Sequence, residues 1–116
     1  MPSDTWRERF KLARLERGYI QEEIAAILDA DGTKISDIET GKQSPAYEDM
    51  LKIAHELHIS LDALGAPGPF DHRACLLPTW PGKSPKLMEK VEERKRRKAE
   101  RMRRRGYTGQ AGASAA

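Results

Sequence analysis

Ten lysines and arginines fall between residues 90 and 105: Lys90, Arg94, Lys95, Arg96, Arg97, Lys98, Arg101, Arg103, Arg104 and Arg105. Only Glu92, Glu93 and Glu100 oppose them there. Clusters written RKRRK and RMRRR suit the neutralisation of a phosphate backbone, although a charge run is also what a solvated helix face carries. Other chemistry is sparse. His72 and Cys75 are of metal-ligand type, but two residues do not make a tetrahedral site, so both are expected to be structural. His55 and His58 are expected at the surface. No Gly-rich phosphate loop, nucleophile elbow or paired-carboxylate pattern occurs, and no catalytic residue, metal or cofactor is expected.

The chain of 116 residues is split by charge. Residues 1–66 hold eight Lys/Arg and thirteen Asp/Glu, a balance of −5, whereas residues 67–116 hold thirteen and five, a balance of +8; the sum is the net +3. Such a division marks a folded body with a charged appendage. No apolar run approaches the roughly 18 residues that span a bilayer, and the first ten residues lack the apolar core of a signal peptide. Cys75 is the sole cysteine, which excludes an internal disulfide and suits a reducing compartment. A cytoplasmic location is the expectation.

The elements that must position these charges are helical. A first helix is expected from a cap at Asp4 or Thr5, with Trp6, Phe10 and Ala13 inward and Gly18 as its stop. Tyr19 and Ile20 are expected to plug the core. Helix two runs over about Gln21–Leu28, with Ile24, Ala25 and Leu28 inward. The break at residues 29–32 turns the chain, and Asp31 caps helix three, about Gly32–Thr40, with Ile35 and Ile38 inward. Helix four, about Tyr47–Leu57, has the strongest amphipathic pattern, in Met50, Ile53, Ala54 and Leu57. Ser60 caps a last short helix with Leu61 and Leu64. Residues 67–83 form a Pro-rich arm with Phe70, Leu76, Leu77 and Trp80, expected to pack on its own domain or a partner. Ser84 and Pro85 open a basic helix over 84–106, carrying the pairs Glu92–Arg96, Glu93–Arg97 and Glu100–Arg104. Its charge interrupts the apolar residues too often for a coiled coil, while its first two turns are free to dock. Residues 107–116 have no reason to fold.

Residues 10–64 resemble the phage repressor, Cro and XRE-type helix-turn-helix family. The resemblance rests on Arg14, Gly18, Gln21, Glu22, Ile24, Ala25, Leu28, Ile35, Ser36, Ile38, Glu39 and Gly41, and continues through Pro45, Ile53, Ala54, Leu57, Ser60, Leu61 and Leu64. It implies a five-helix lambda-repressor-like helix-turn-helix domain; with the elements read above, the expected chain is all-α, with this domain over residues 4–66, then the arm and the long basic C-terminal helix. It also implies an ion pair between Arg14 and Glu39. In such domains the second helix of the motif enters the major groove. By position this makes Gly32, Thr33, Ser36, Asp37 and Thr40 base-facing, and Gln21, Lys34, Lys42 and Gln43 phosphate contacts. The sequence departs from the family at Ile20, which replaces a capping Ser, Thr or Asn, and at Asp29 and His58, which replace turn glycines.

Together these features predict a sequence-specific regulator of double-stranded DNA, a repressor where its operator overlaps a promoter, with the basic helix adding phosphate contacts. Relatives bind as two-fold dimers, so a homodimer is expected, with residues 70–80 as the candidate contact. Two other readings stay open. The acidic domain suits docking on a protein partner such as polymerase, another regulator or a toxin-like protein. The arginine-rich helix suits RNA.

Overall fold

Helix boundaries in this chain follow its capping residues. The computed structural model describes residues 5–67 and 71–104; Asp4, Phe70, Arg105, the expected helix end at Gly106 and the 107–116 segment lie outside them. Helix α1 (Trp6–Arg17) opens at Thr5, whose Oγ1 accepts from the Glu8 N–H at 3.2 Å, and stops at Gly18 with φ 81°. Helix α2 (Gln21–Ile27) follows, then α3 (Gly32–Thr40), which Asp31 caps by accepting from the Lys34 N–H at 3.3 Å. Helix α4 (Tyr47–Leu57) and the single turn α5 (Leu61–Leu64), capped by Ser60, complete the body. A 3₁₀ turn (His72–Cys75) precedes α6 (Pro85–Arg104). Asp29 and His58 sit at φ 55° and 58°, in the left-handed region that glycine would otherwise serve.

One core joins all of these pieces. Phe10, Ala13, Ile24, Ala25, Ile35, Ile38, Ile53 and Leu57 are completely or almost completely buried. Helix α2 is the centre of it. Glu23, Ile24, Ala25 and Ala26 are four successive buried residues, and at about 100° per residue they cover most of the helix circumference. Helix α2 is accordingly enclosed by α3 and α4 and by α6. Leu87 and Val91 of α6 are each 6% exposed and belong to this same core. The basic helix is therefore a structural part of the domain over its first turns.

The arm folds back on its own chain. Its 3₁₀ turn packs on α1 and α5, and Cys75 is fully buried. An isolated antiparallel bridge pairs Ile59 with Leu76, with the Ser60 N–H donating to the Cys75 carbonyl and the Leu77 N–H to the His58 carbonyl. Arg17 locks the junction: its guanidinium donates to the Leu57, His58 and Leu77 carbonyls and lies 4.9 Å from the Trp80 ring. Of the described apolar arm residues, Leu76 and Trp80 pack against the chain's own core, whereas Leu77 is 41% exposed. His72 Nε2 lies 3.1 Å from Glu16 Oε1.

Two expectations are corrected. Ile20 is 54% exposed rather than a core plug. It is the N-cap of α2 in an extended conformation, which turns its side chain outward. Having no oxygen, it caps nothing; Glu23 supplies the reciprocal half by accepting from the Ile20 N–H at 2.9 Å. On α6, Arg96 pairs with Glu93 rather than Glu92, which instead lies 3.9 Å from Lys95. Glu93–Arg97 and Glu100–Arg104 form at 3.1 and 3.4 Å.

Tyr19, 1% exposed, donates its hydroxyl to Glu56 Oε2 at 2.9 Å. Burial, then the hydrogen bond and charge of Glu56, push the phenol well above its ordinary value of 10.0. A raised phenol favours the fold fully below that ordinary value and loses this advantage as pH rises toward the folded one. Between pH 10 and 11 wild type should lose about 1 kcal/mol more stability than Tyr19→Phe. Urea unfolding at pH 9, 10 and 11 measures it; parallel declines would show that Tyr19 ionises normally.

Candidate nucleic-acid interface

Ile35 and Ile38 fix which side of α3 faces out, because both are fully buried. Their burial leaves Thr33 and Thr40 exposed and Gly32, Ser36 and Asp37 half-buried. The helix is held in place at both ends of α1. Arg14 of α1 reaches Glu39 with Nε at 2.7 Å from Oε2 and Nη2 at 3.2 Å from Oε1, while Nη1 donates to the Tyr19 carbonyl at 2.8 Å. Arg7 donates to the Ile38 carbonyl and, at 3.0 Å, to the Gln43 carbonyl, tying down the C-terminal end of α3.

A surface depression collects Ile20, Gln21 and Glu22 from the start of α2 with Gly32, Thr33 and Ser36 from α3. Asp37, Thr40, Lys34, Lys42 and Gln43 are not part of it. Several of the expected contact residues also have work inside the domain. Gln21 Nε2 donates to Glu39 Oε1 at 3.1 Å. Lys34 Nζ lies 3.4 Å from Asp49 Oδ2 on α4. The Thr40 hydroxyl donates to the Ser36 carbonyl at 2.9 Å. Lys42 and Gln43 are exposed beyond the Gly41 cap.

The basic helix divides into an anchored and a projecting half. Ser84 Oγ accepts from the Leu87 N–H at 3.0 Å, while the Ser84 N–H donates to Glu56 Oε2 at 2.9 Å. Lys83 Nζ lies 3.0 Å from Glu23 Oε2, and Lys90 Nζ lies 2.7 Å from Asp29 Oδ1. Arg94 donates to the Ala30 carbonyl. The acidic edge of the body is therefore matched to cations of α6. The hydrogen bond and charge of Lys90 hold the Asp29 carboxyl below its ordinary value.

Beyond Arg94, every described residue of α6 except the half-buried Met102 is exposed. Lys95, Arg96, Arg97 and Arg104 pair with glutamates of their own helix. Lys98, Arg101 and Arg103 have no ion-pair partner among the described residues. Arg97, Lys98 and Arg101 wall one side of a groove whose opposite side includes Ile20, Glu22 and Asp31. Ile20 and Glu22 thus border both this groove and the depression over α3. A strip of fixed hydrogen-bonding groups lies next to a strip of cations, an arrangement suited to polyanion binding.

Sequence reasoning missed three arginines with structural roles: Arg7, Arg17 and Arg9. Arg9 is 1% exposed and donates to the Leu64 and Ala66 carbonyls at 2.8 and 2.6 Å, closing the end of α5. The available signal for Arg9 was its place beside Phe10 on the inward side of α1. Among the described residues no helix is long and apolar enough to cross a membrane.

A family model described as a helix-turn-helix domain matches residues 8–65, half of the chain. The match agrees with a DNA-binding regulator of the XRE and Cro type. No curated protein and no solved structure matches the chain. The domain match and the helical order α1 to α5 agree, and the chain belongs to the helix-turn-helix domain family.

Proposed function

We propose that this chain is a sequence-specific transcriptional regulator that lays α3 in the major groove of double-stranded DNA and adds phosphate contacts from α6. It represses where its operator overlaps a promoter. The observation that carries this reading is the adjacency of the α3 depression and the basic groove, which share Ile20 and Glu22. Thr33 and Ser36 supply hydroxyls for base edges, and the Thr33 methyl suits thymine. Lys98 and Arg101 offset the −5 charge of the body at the point where phosphates would approach. Binding as a two-fold dimer would place two such faces about one helical turn apart.

Selection from a random duplex pool, followed by gel shifts over a salt series, tests the proposal. The full chain should recover a preferred sequence. Lys98→Gln/Arg101→Gln should keep that sequence while lowering the slope of log affinity against log salt by roughly 2 for each bound subunit, about 0.9 for each contact. Recovery of no preferred sequence sinks the reading, and an unchanged slope removes α6 from it.

A protein-binding role is the second reading. Tyr47 and Leu51, one turn apart on α4, are 70% and 44% exposed and offer an apolar contact outside the α3 face. It predicts that the chain binds no duplex at low salt and that Tyr47→Ala/Leu51→Ala abolishes capture of a protein partner.

A further inference from the structure

Gly32 opens α3 and has no side chain with which to read a base, yet the space beside it is filled. A Cβ built on Gly32 would meet Glu22 Oε2 at 2.5 Å and Glu22 Cδ at 3.2 Å. The carboxylate of α2 therefore lies where the side chain of the first α3 residue would stand. Glu22 is exposed, and among the described residues its carboxylate has neither a hydrogen-bond donor nor an ion-pair partner. It is not needed to cap α3, because Asp31 already accepts from the Lys34 N–H. It faces the same depression as Thr33 and Ser36.

We propose that Glu22 is a specificity-determining residue, supplying from α2 the reading group that Gly32 lacks and accepting from the N4 amine of a cytosine. The inference rests on the proposed docking of α3 in the major groove. Residues at the start of a recognition helix lie nearest the base edges. A carboxylate at that point selects cytosine, because N4–H₂ is the donor that a C·G pair offers in the major groove. The usual objection is that a carboxylate repels phosphates. Here Lys98 and Arg101 form the opposite wall of the groove that Glu22 borders, and they reduce that repulsion. The absence of a side chain at 32 leaves this position to Glu22, since a Cβ there would displace the carboxylate from it.

The test is selection from a random duplex pool with the full chain and with Glu22→Gln and Glu22→Ala. Wild type should fix cytosine at one position of each half-site. Glu22→Gln should move that position, and no other, to adenine, whose N6 and N7 suit an amide. Glu22→Ala should relax it, with discrimination falling roughly tenfold. Circular dichroism should show unchanged helicity, as Glu22 is exposed. If both variants instead keep the wild-type sequence and bind every duplex more tightly, Glu22 only repels phosphate and the inference fails while the proposed function stands. A wild-type chain that selects no sequence overturns both.

Discussion

Glu39→Ala should cost the fold about 3–5 kcal/mol, the penalty of leaving a buried charge without its partner. The Arg14 and Glu39 side chains are only 7% and 3% exposed. Glu39 accepts two bonds from the Arg14 guanidinium and a third from Gln21, so its removal strips three donors at once. Arg14 would retain the Tyr19 carbonyl, which carries no full charge. Domains of this size have roughly 5–15 kcal/mol of stability in total. Each kcal/mol shifts the melting temperature by about 4–8 °C in a small domain, so the drop should exceed about 12 °C. Thermal unfolding of the full chain measures it. Arg14→Met/Glu39→Leu provides the contrast: with both charges gone and the volume kept, the loss should be much smaller or absent. A cost below about 1 kcal/mol for Glu39→Ala would mean that water reaches the pair and the site behaves as a surface bridge.

The same pair shows how far the sequence could be read. Periodicity and caps placed α3 and α4 at their observed bounds, because Asp31, Gly41 and the spacing of Ile35, Ile38, Met50, Ile53 and Leu57 are local signals. The start of α6 at Ser84 and Pro85 was legible for the same reason. What was not legible is long-range. Ala26 and Glu23 were not among the residues of α2 read as inward, yet both are buried: α6 packs on α2, and Lys83, 60 residues on, pairs with Glu23. Arg9 and Arg17 drew no structural role from the sequence, yet each closes backbone carbonyls more than 39 residues away. Nothing in a 3.6-residue period announces a guanidinium that serves a distant helix end. The first two turns of the basic helix read as free to dock, but which cations the body would hold was not legible. Its division into Lys90 and Arg94, held by the body, and Lys98, Arg101 and Arg103, left projecting, depends on which turn of α6 passes Asp29 and Ala30.

That division yields the prediction with the largest effect on organisation. Val91→Asp should release α6 while the rest of the domain stays folded. Val91 is 6% exposed and belongs to the core, so a carboxylate there is desolvated without a buried partner. Burial of a valine contributes about 1.5–3 kcal/mol, comparable with the few surface ion pairs that assist it. Once loose, α6 is a 20-residue helix in water, and such helices are only marginally stable alone. Hydrogen exchange should therefore accelerate across residues 85–104 and at α2, whose Ala26 becomes uncovered, while α1, α3 and α4 keep their protection. The salt slope for DNA binding should fall as well, because Lys98 and Arg101 would no longer be held beside Glu22. Acid should act in the same direction. Asp29 is held below its ordinary carboxylate value, so its contact with Lys90 favours docking above that value and is lost as pH falls through the lowered one. Protection of α6 that persists in Val91→Asp would show that the helix is held by something other than this apolar seam.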